Sequence, residues 1–413
     1  MRVIEPKELR KRPAKRKHRH LVRLFVMFVL AMAVLGGTYT AMAYNRALPS
    51  TSPELVAGAI PAQNISLPWP SYGQASIGAQ GYGVLASSHD GLAVPIASVA
   101  KVMVALAVLR QNPIVPGQQG PLITISAHDV DLYQQAAAQG GSVVAVEEGE
   151  QISEYQAMQA LILPSGNNMA DTLAIWAFGS VDAYLTYSNN LAKSLGMAST
   201  HLADASGFSP ETISTATDLV RLGGAALQNP VLAEIVAQQQ ADIPVAGTVY
   251  NTNFLLGQDG IIGIKTGNTS DAGGCYLFAA IRDVAPGQHI TVVGSILGAP
   301  SLGVAMRDAL PLLDAAYQGF GQITVVKSGQ TIANYSLPWG THVPAIAQKA
   351  LTIFGWRGAT YKPSIGLLPL QQPHSAGYEV GTIGVDSAAG RQTVPVVLSD
   401  TTSTPSGHWR IFH

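Results

Sequence analysis

The apolar positions of the chain change period several times, and each change predicts a different kind of element. Residues 24–43 carry no charged side chain at all, and a run of that length matches a helix that crosses a bilayer. Between residues 74 and 86 apolar and polar positions alternate, which predicts a first strand or hairpin. The runs then lengthen. Residues 102–109 are uniformly apolar, residues 155–163 form an apolar stretch stopped by Pro164, and residues 169–178 form another, so residues 98–194 read as an all-helical subdomain. Strand-like runs return at 261–264, 275–281 and 290–297, with Pro286-Gly287 turning the chain between the last two, and a helix is expected over residues 302–317. A strand, many helices, strands and a helix imply one antiparallel sheet assembled from both ends of the domain, with any site lying between sheet and helices. From residue 322 the pieces shorten to strand-like segments at 323–326, 330–332, 341–343, 378–385 and 393–397, separated by Gly, Pro and Ser. That texture predicts a small all-β module. The fold class expected is therefore α+β, followed by a β-rich C-terminal domain.

Charge sharpens the first of these readings. Ten of the 24 Lys and Arg residues fall within residues 1–23, against Glu5 and Glu8, and the apolar stretch follows directly. Positive charge on one flank predicts that this end stays in the cytoplasm while the rest is exported, making the chain a single-pass membrane protein with an extracytoplasmic body. Ala41-Met42-Ala43 resembles a signal-peptidase site, which leaves a secreted form open, but a basic region this long favours an uncleaved anchor. The remaining chain holds 14 basic and 23 acidic side chains, an acidic balance that argues against nucleic acid as a partner. Residues 44–71 contain Pro49, Pro53, Pro61, Pro68 and Pro70 among small residues and read as a spacer. One cysteine, Cys275, excludes an internal disulfide and sits in an apolar strand as a core residue. The ten histidines show no metal-ligand spacing, so neither a metal nor another cofactor is assigned.

Three short patterns carry candidate chemistry. In Pro95-Ile96-Ala97-Ser98-Val99-Ala100-Lys101 a proline precedes a helix start, and Ser98 and Lys101 lie three residues apart, on one face of a first helical turn. A serine hydroxyl becomes a strong nucleophile when a base takes its proton, and a lysine serves as that base when burial or a nearby cation lowers its pKa. The apolar run after Lys101 supplies the burial, and Lys265 is a candidate second cation. Alone, the pair also fits a plain polar first turn. Ser165-Gly166-Asn167, on a short connection between two helices, either points side chains into a cleft or forms a turn in which Asn167 caps the next helix. Lys265-Thr266-Gly267, at the end of a β-like run, offers a cation and a hydroxyl to a carboxylate, and Gly267 lets backbone come close to a ligand. Read singly it is also ordinary strand-to-turn chemistry, and its weight comes from standing third after the other two.

In that order the three patterns resemble those of the serine-type D-alanyl-D-alanine carboxypeptidases, the low-molecular-mass penicillin-binding proteins. The likeness extends to Leu163-Pro164-Ser165-Gly166-Asn167-Asn168, to Ser214 through Leu219 and to Gly263 through Thr269. It implies the β-lactamase/penicillin-binding-protein-like transpeptidase fold over residues 72–320, with residues 321–413 as the β-rich domain to which the family attributes no chemistry. It further implies that Ser98 is the acylated nucleophile, Lys101 its base and Ser165 the proton relay to the leaving amine. Asn167 would hold Lys101 and the substrate amide, Lys265 and Thr266 would bind the terminal carboxylate beside Gly267, and the backbone N–H groups of Ser98 and Asn268 would form the oxyanion hole. The partners implied are a peptidoglycan stem peptide and β-lactam inhibitors, with the membrane engaged through the N-terminal segment.

Departures from the family pattern are Asn168, where an aspartate is common, and Asn268, where a histidine is common. Three other activities stay open on sequence grounds. A DD-endopeptidase uses the same motifs. A β-lactamase needs a glutamate to activate the deacylating water, and residues 201–214 offer only Glu211, with no asparagine three or four residues on. An inactive wall-binding scaffold has no need of both lysines.

Overall fold

A computed structural model of the chain describes residues 15–89 and 91–413, so residues 1–14 of the expected basic tail lie outside the described residues. Helix α1 (Lys15–Tyr44) contains the uncharged stretch, and within it His18–Tyr44 is long and apolar enough to cross a membrane, with none of that window buried against protein.

The chain then departs from the expected spacer. Thr51 pairs with Leu370, Glu54 and Leu55 pair with Asn334 and Ala333, and Ile60 pairs with Tyr361. Residues 51–60 are therefore strapped by backbone hydrogen bonds along the C-terminal β region. Proline is tolerated there because such short edge pairings leave many N–H groups unused.

The central element is a five-stranded antiparallel sheet in the order Ile261–Thr269, Gly273–Ala285, Gln288–Ala299, Gln74–Ala79, Gly83–Ser88. Chain from both ends of the domain meets in it, as the order of periods implied. Strand alternation divides its side chains between two cores. Cys275, Leu277 and Ala279 face the helical region, while Tyr276, Phe278 and Ala280 pack under the helix that follows the sheet.

The helical region comprises α2 (Lys101–Gln111), α3 (Ala127–Ala138), α4 (Glu154–Ile162), α5 (Asn167–Phe178), α6 (Val181–Ser194), α7 (Ala216–Gln228) and α8 (Pro230–Val236). Their ends carry the expected chemistry: capping boxes at Ser126 and Ser153, and Asn229 capping a helix with proline at its first position. The subdomain is not purely helical. Leu122–Thr124 pairs with Gln151–Ser153, and just outside the expected bounds of 98 and 194 Val94–Pro95 pairs with Ile213–Ser214. Helix α2 is buried along Lys101 to Leu109, which is why its sequence shows no polar stripe. Helix α7 covers one face of the sheet and α9 (Leu302–Gln318) the other.

The C-terminal region contains a six-stranded sheet that includes Thr331–Ser336, His342–Ala347, Glu379–Ser387 and Gly390–Leu398, together with the pair Phe320–Val326 and Leu351–Trp356. Phe320 and Trp356 pack into the core under α9 and so join this region to the sheet domain. A final short helix, α10 (Gly407–Phe412), touches the C-terminal end of α1, where Arg410 donates to the Tyr44 carbonyl and lies over its ring.

Candidate active site

The nucleophile turn differs from the sequence expectation in an informative way. Ser98 does not lie in the first turn of an α-helix but in a 3-10 turn, Ala97–Ala100, and Lys101 is the first residue of α2. A 3-10 turn has three residues per turn, so residues three apart eclipse each other more closely than on an α-helix. Lys101 Nζ accordingly sits 2.7 Å from Ser98 Oγ. Ala97, buried just ahead of Ser98, holds a φ of 48°, a left-handed conformation that costs a non-glycine residue energy and aims the turn.

Lys101 is 0% exposed. Its amine also donates to Asn167 Oδ1 at 2.7 Å and to the Ser206 carbonyl at 2.9 Å, so all three donor directions of an ammonium have a partner. Burial holds its pKa well below the ordinary lysine range, and the charge of Lys265 pushes in the same direction; Asp204 and Asp171 oppose them.

The second pattern resolves its ambiguity. Asn167 is the first residue of α5 rather than its cap, and its side chain is spent on Lys101. Its backbone N–H donates to the Ser142 carbonyl, and Asn168 beside it accepts from the Val144 N–H and donates to the Val144 carbonyl. These bonds tie the segment before α4 to the start of α5 and hold Gly140, Gly141 and Ser142 in the wall of the cleft. The departure Asn168 thus pairs with both polar groups of one residue's backbone, which a carboxylate cannot do. Ser165 sits at φ 68°, 5% exposed, with an Oγ that has no hydrogen-bond partner among the described residues.

The third pattern lies on the edge strand of the sheet, with Lys265 opposite Leu277 and Gly267 opposite Cys275. Lys265 is 1% exposed, and burial lowers its pKa to about 7. Its amine makes one hydrogen bond, to the Thr266 carbonyl at 3.1 Å. A side chain at Gly267 would begin 3.0 Å from the Ser98 nitrogen and 3.1 Å from the Ile96 carbonyl, so only glycine lets the strand approach the nucleophile turn this closely. Asn268, Ser98 and Asn167 share a cleft of about 480 Å³ with Phe208, Ser209 and Thr269.

Several residues at the site were not legible as candidates. Ser206 acts through its carbonyl, and its loop is held by Asp204, which accepts from Ser206 Oγ, the Phe208 N–H and Thr212 Oγ1. Gly207, at φ 77°, allows that loop to lie against the Ala97 carbonyl. Asp171 is pushed up to about 6, by burial first and then by Asp204. Thr252 hydrogen-bonds Thr266 through their hydroxyls at 2.6 Å. The one available signal was Asp204-Ala205-Ser206-Gly207, a turn composition that bears on the site only once folded.

A desolvated amine against a serine hydroxyl, a second buried amine on the facing strand and closely apposed backbone define the class of serine acyl-transfer enzymes that use lysine as the base. Comparison narrows the class. Residues 76–299 match the D-alanyl-D-alanine carboxypeptidase family. This span is more than half of the chain, and the chain belongs to that family. It is 34% identical over 206 residues to the D-alanyl-D-alanine carboxypeptidase DacB2 of Mycobacterium tuberculosis, covering 48% of this chain and 66% of that protein. It is 30% identical over 210 residues to the D-alanyl-D-alanine endopeptidase of Escherichia coli, covering 49% of this chain and 64% of that protein. The matches therefore span slightly under two thirds of these relatives' lengths. The fold resembles the Streptomyces K15 DD-transpeptidase (25% identity, TM-score 0.55, 61% of this chain and 98% of that one). It also resembles the D-alanyl-D-alanine carboxypeptidase DacD of Francisella tularensis (18% identity, TM-score 0.58), and this likeness extends over 83% of this chain and 96% of the other.

Proposed function

We propose that the chain is a membrane-anchored D-alanyl-D-alanine carboxypeptidase that removes the terminal D-alanine of peptidoglycan stem pentapeptides through a serine acyl-enzyme. The observation that carries the reading is the 2.7 Å contact between Ser98 Oγ and the buried amine of Lys101.

In this mechanism neutral Lys101 takes the Ser98 proton as Oγ attacks the carbonyl of the penultimate D-alanine. The developing oxyanion is held by the backbone N–H groups of Ser98 and Asn268, each such donor being worth about 3–4 kcal/mol. The carbon–nitrogen bond then breaks, and the proton that Lys101 took passes through Ser165 to the leaving amine, since the Ser165 Oγ has no partner among the described residues. Water attacks the ester, Lys101 takes its proton and returns it to Ser98 Oγ as the ester C–O bond breaks, and the shortened stem peptide leaves. Lys265 and Thr266 hold the terminal carboxylate, and Lys265, with one internal hydrogen bond, has donor capacity to spare for it. β-Lactams acylate the same serine. Helix α1 serves as the anchor and places the site outside the membrane.

Release of free D-alanine from a D-Ala-D-Ala pentapeptide tests the reading. The wild type is expected to release it, and Ser98→Ala to lose on the order of 10⁶-fold in kcat. Undiminished release by that variant would refute the assignment. The likeness to an endopeptidase supports a second activity, cleavage of D-alanyl cross-links, and a cross-linked dimer substrate separates the two. Glu211 lies exposed and is not among the residues lining the cleft, which speaks against β-lactamase turnover. Long-lived penicillin adducts are expected.

A further inference from the structure

Beside the cleft, the segment from Tyr250 to Phe254 alternates strictly. Asn251 and Asn253 are buried, while Tyr250 and Phe254 are 65% and 75% exposed. Thr252 between them bonds Thr266, so the segment adjoins the end of the cleft that receives the substrate carboxylate in the reading above. Its outer edge forms a cavity of about 320 Å³ lined by Gln239, Tyr250, Asn251, Asn253, Phe254 and Leu256. No lining residue is charged. Asn253, one of the lining residues, also has an unmet polar group. The Leu255 N–H can only donate, so the Asn253 oxygen that receives it and the Tyr276 hydroxyl is Oδ1. That leaves Nδ2, a buried donor, with no partner among the described residues.

Two exposed rings, the Gln239 amide, the spare Asn253 donor and no charge form the chemistry that recognises a saccharide, while the Asn251 amide is spent on the Gln238 carbonyl and the Asn253 N–H. The rings cover the apolar C–H face of a pyranose, and amides meet its hydroxyl and acetamido groups. A stem peptide, with its carboxylates and amines, has no ionic partner in this cavity. We infer that the cavity rimmed by Tyr250 and Phe254 is a subsite for uncharged N-acetylated amino sugars, engaging a glycan strand beside the leaving-group end of the cleft. This inference rests on the carboxypeptidase reading for the identity of the strand. A bare pentapeptide ends at Lys265 and Thr266 and does not reach the subsite, so occupancy comes from the polymer around it.

The test uses the full-length protein and the N-acetylglucosamine tetramer, an uncharged probe without peptide, titrated calorimetrically. Saturable binding with a Kd of about 1 mM is expected, as suits a shallow subsite. Tyr250→Ala and Phe254→Ala are each expected to weaken it about tenfold, while Tyr250→Phe, which keeps the ring, retains most of it. Absence of binding by the wild type, or equal binding by the alanine variants, overturns the inference. A second readout guards against a spurious loss through misfolding. The ratio of kcat/KM on polymeric peptidoglycan to that on bare pentapeptide should fall several-fold in the double alanine variant, and an unchanged ratio also overturns it. Penicillin acylation of Ser98 in the wild type reports the carboxypeptidase reading separately, since the sugar titration needs no turnover.

Discussion

The two walls of the cleft each bury a lysine, and they treat it differently. On the helical wall Lys101 has a partner for every donor: a hydroxyl, an amide oxygen and a carbonyl. On the sheet wall Lys265, equally desolvated, has one carbonyl. A buried cation with unused donors is costly unless an anion arrives, whereas an amine enclosed by three neutral acceptors is fixed in place and needs nothing from the ligand. In the proposed reading the helical wall therefore belongs to the chemical step, and the sheet wall is completed by substrate. The charge of Lys265 also disfavours charge on Lys101, so the sheet wall bears electrostatically on the helical one.

The largest test of this division removes the helical amine. Lys101→Ala is expected to lower kcat by about 10³-fold or more while KM moves little, because the base acts in the transition state. Steady-state kinetics on a D-Ala-D-Ala peptide read the split, and a rise in KM alone would place Lys101 in binding.

Removing the sheet-wall amine should do the reverse. Lys265→Met is expected to lower kcat/KM by about 10²-fold, mainly through KM, as befits a carboxylate left without its cation. It also tests the coupling. With Lys265 gone, the pKa of Lys101 rises, a larger fraction of it is protonated near neutrality, and the acid limb of the kcat/KM profile moves to higher pH. An unmoved limb would show that the two lysines do not sense each other.

What could be read from the sequence follows the same division. The motif cores were legible because reactive side chains recur at fixed spacing within single elements, as Ser98 and Lys101 do. What had to be seen in three dimensions acts through backbone or across elements: the Ser206 carbonyl, the Asn168 clasp on Val144, and Thr252 against Thr266. The sheet strands were legible, the first hairpin from alternation and the others as apolar runs bounded by Gly and Pro, but α7 was not, because Gly223 and Gly224 interrupt its apolar period and weaken its helix propensity. In the C-terminal region the strands Leu351–Trp356 and Ser364–Leu367 escaped notice, being short and punctuated by glycine. The Pro-containing segment after α1 looked like a spacer because its pairing partners lie about 300 residues further on, beyond any local signal.

A smaller effect is expected where the helical wall is braced. In Asn168→Asp the Val144 N–H keeps an acceptor, but the Val144 carbonyl loses its donor and faces a carboxylate in a fully buried position. The loss should be about 1–3 kcal/mol of stability, read by denaturant unfolding. The effect should ease at acid pH, where the introduced carboxyl is protonated and can donate again. A neutral result would mean that the segment around Val144 is held by other contacts.

The smallest test concerns stability without chemistry. Lys265 has a pKa of about 7 when folded against 10.5 ordinarily, so between those values the unfolded chain binds more protons than the native one and stability rises with pH. The burial penalty is full below about pH 7 and absent above about 10.5. Replacing the amine by a methionine of similar length removes that penalty. Lys265→Met should therefore raise the melting temperature by more at pH 6 than at pH 10, and equal shifts at the two pH values would show that Lys265 is not desolvated in the native protein. The same pair of measurements with penicillin bound sharpens the contrast between the walls. A ligand carboxylate on Lys265 restores the charged form, so the gain from methionine at pH 6 should shrink or reverse in the acylated enzyme.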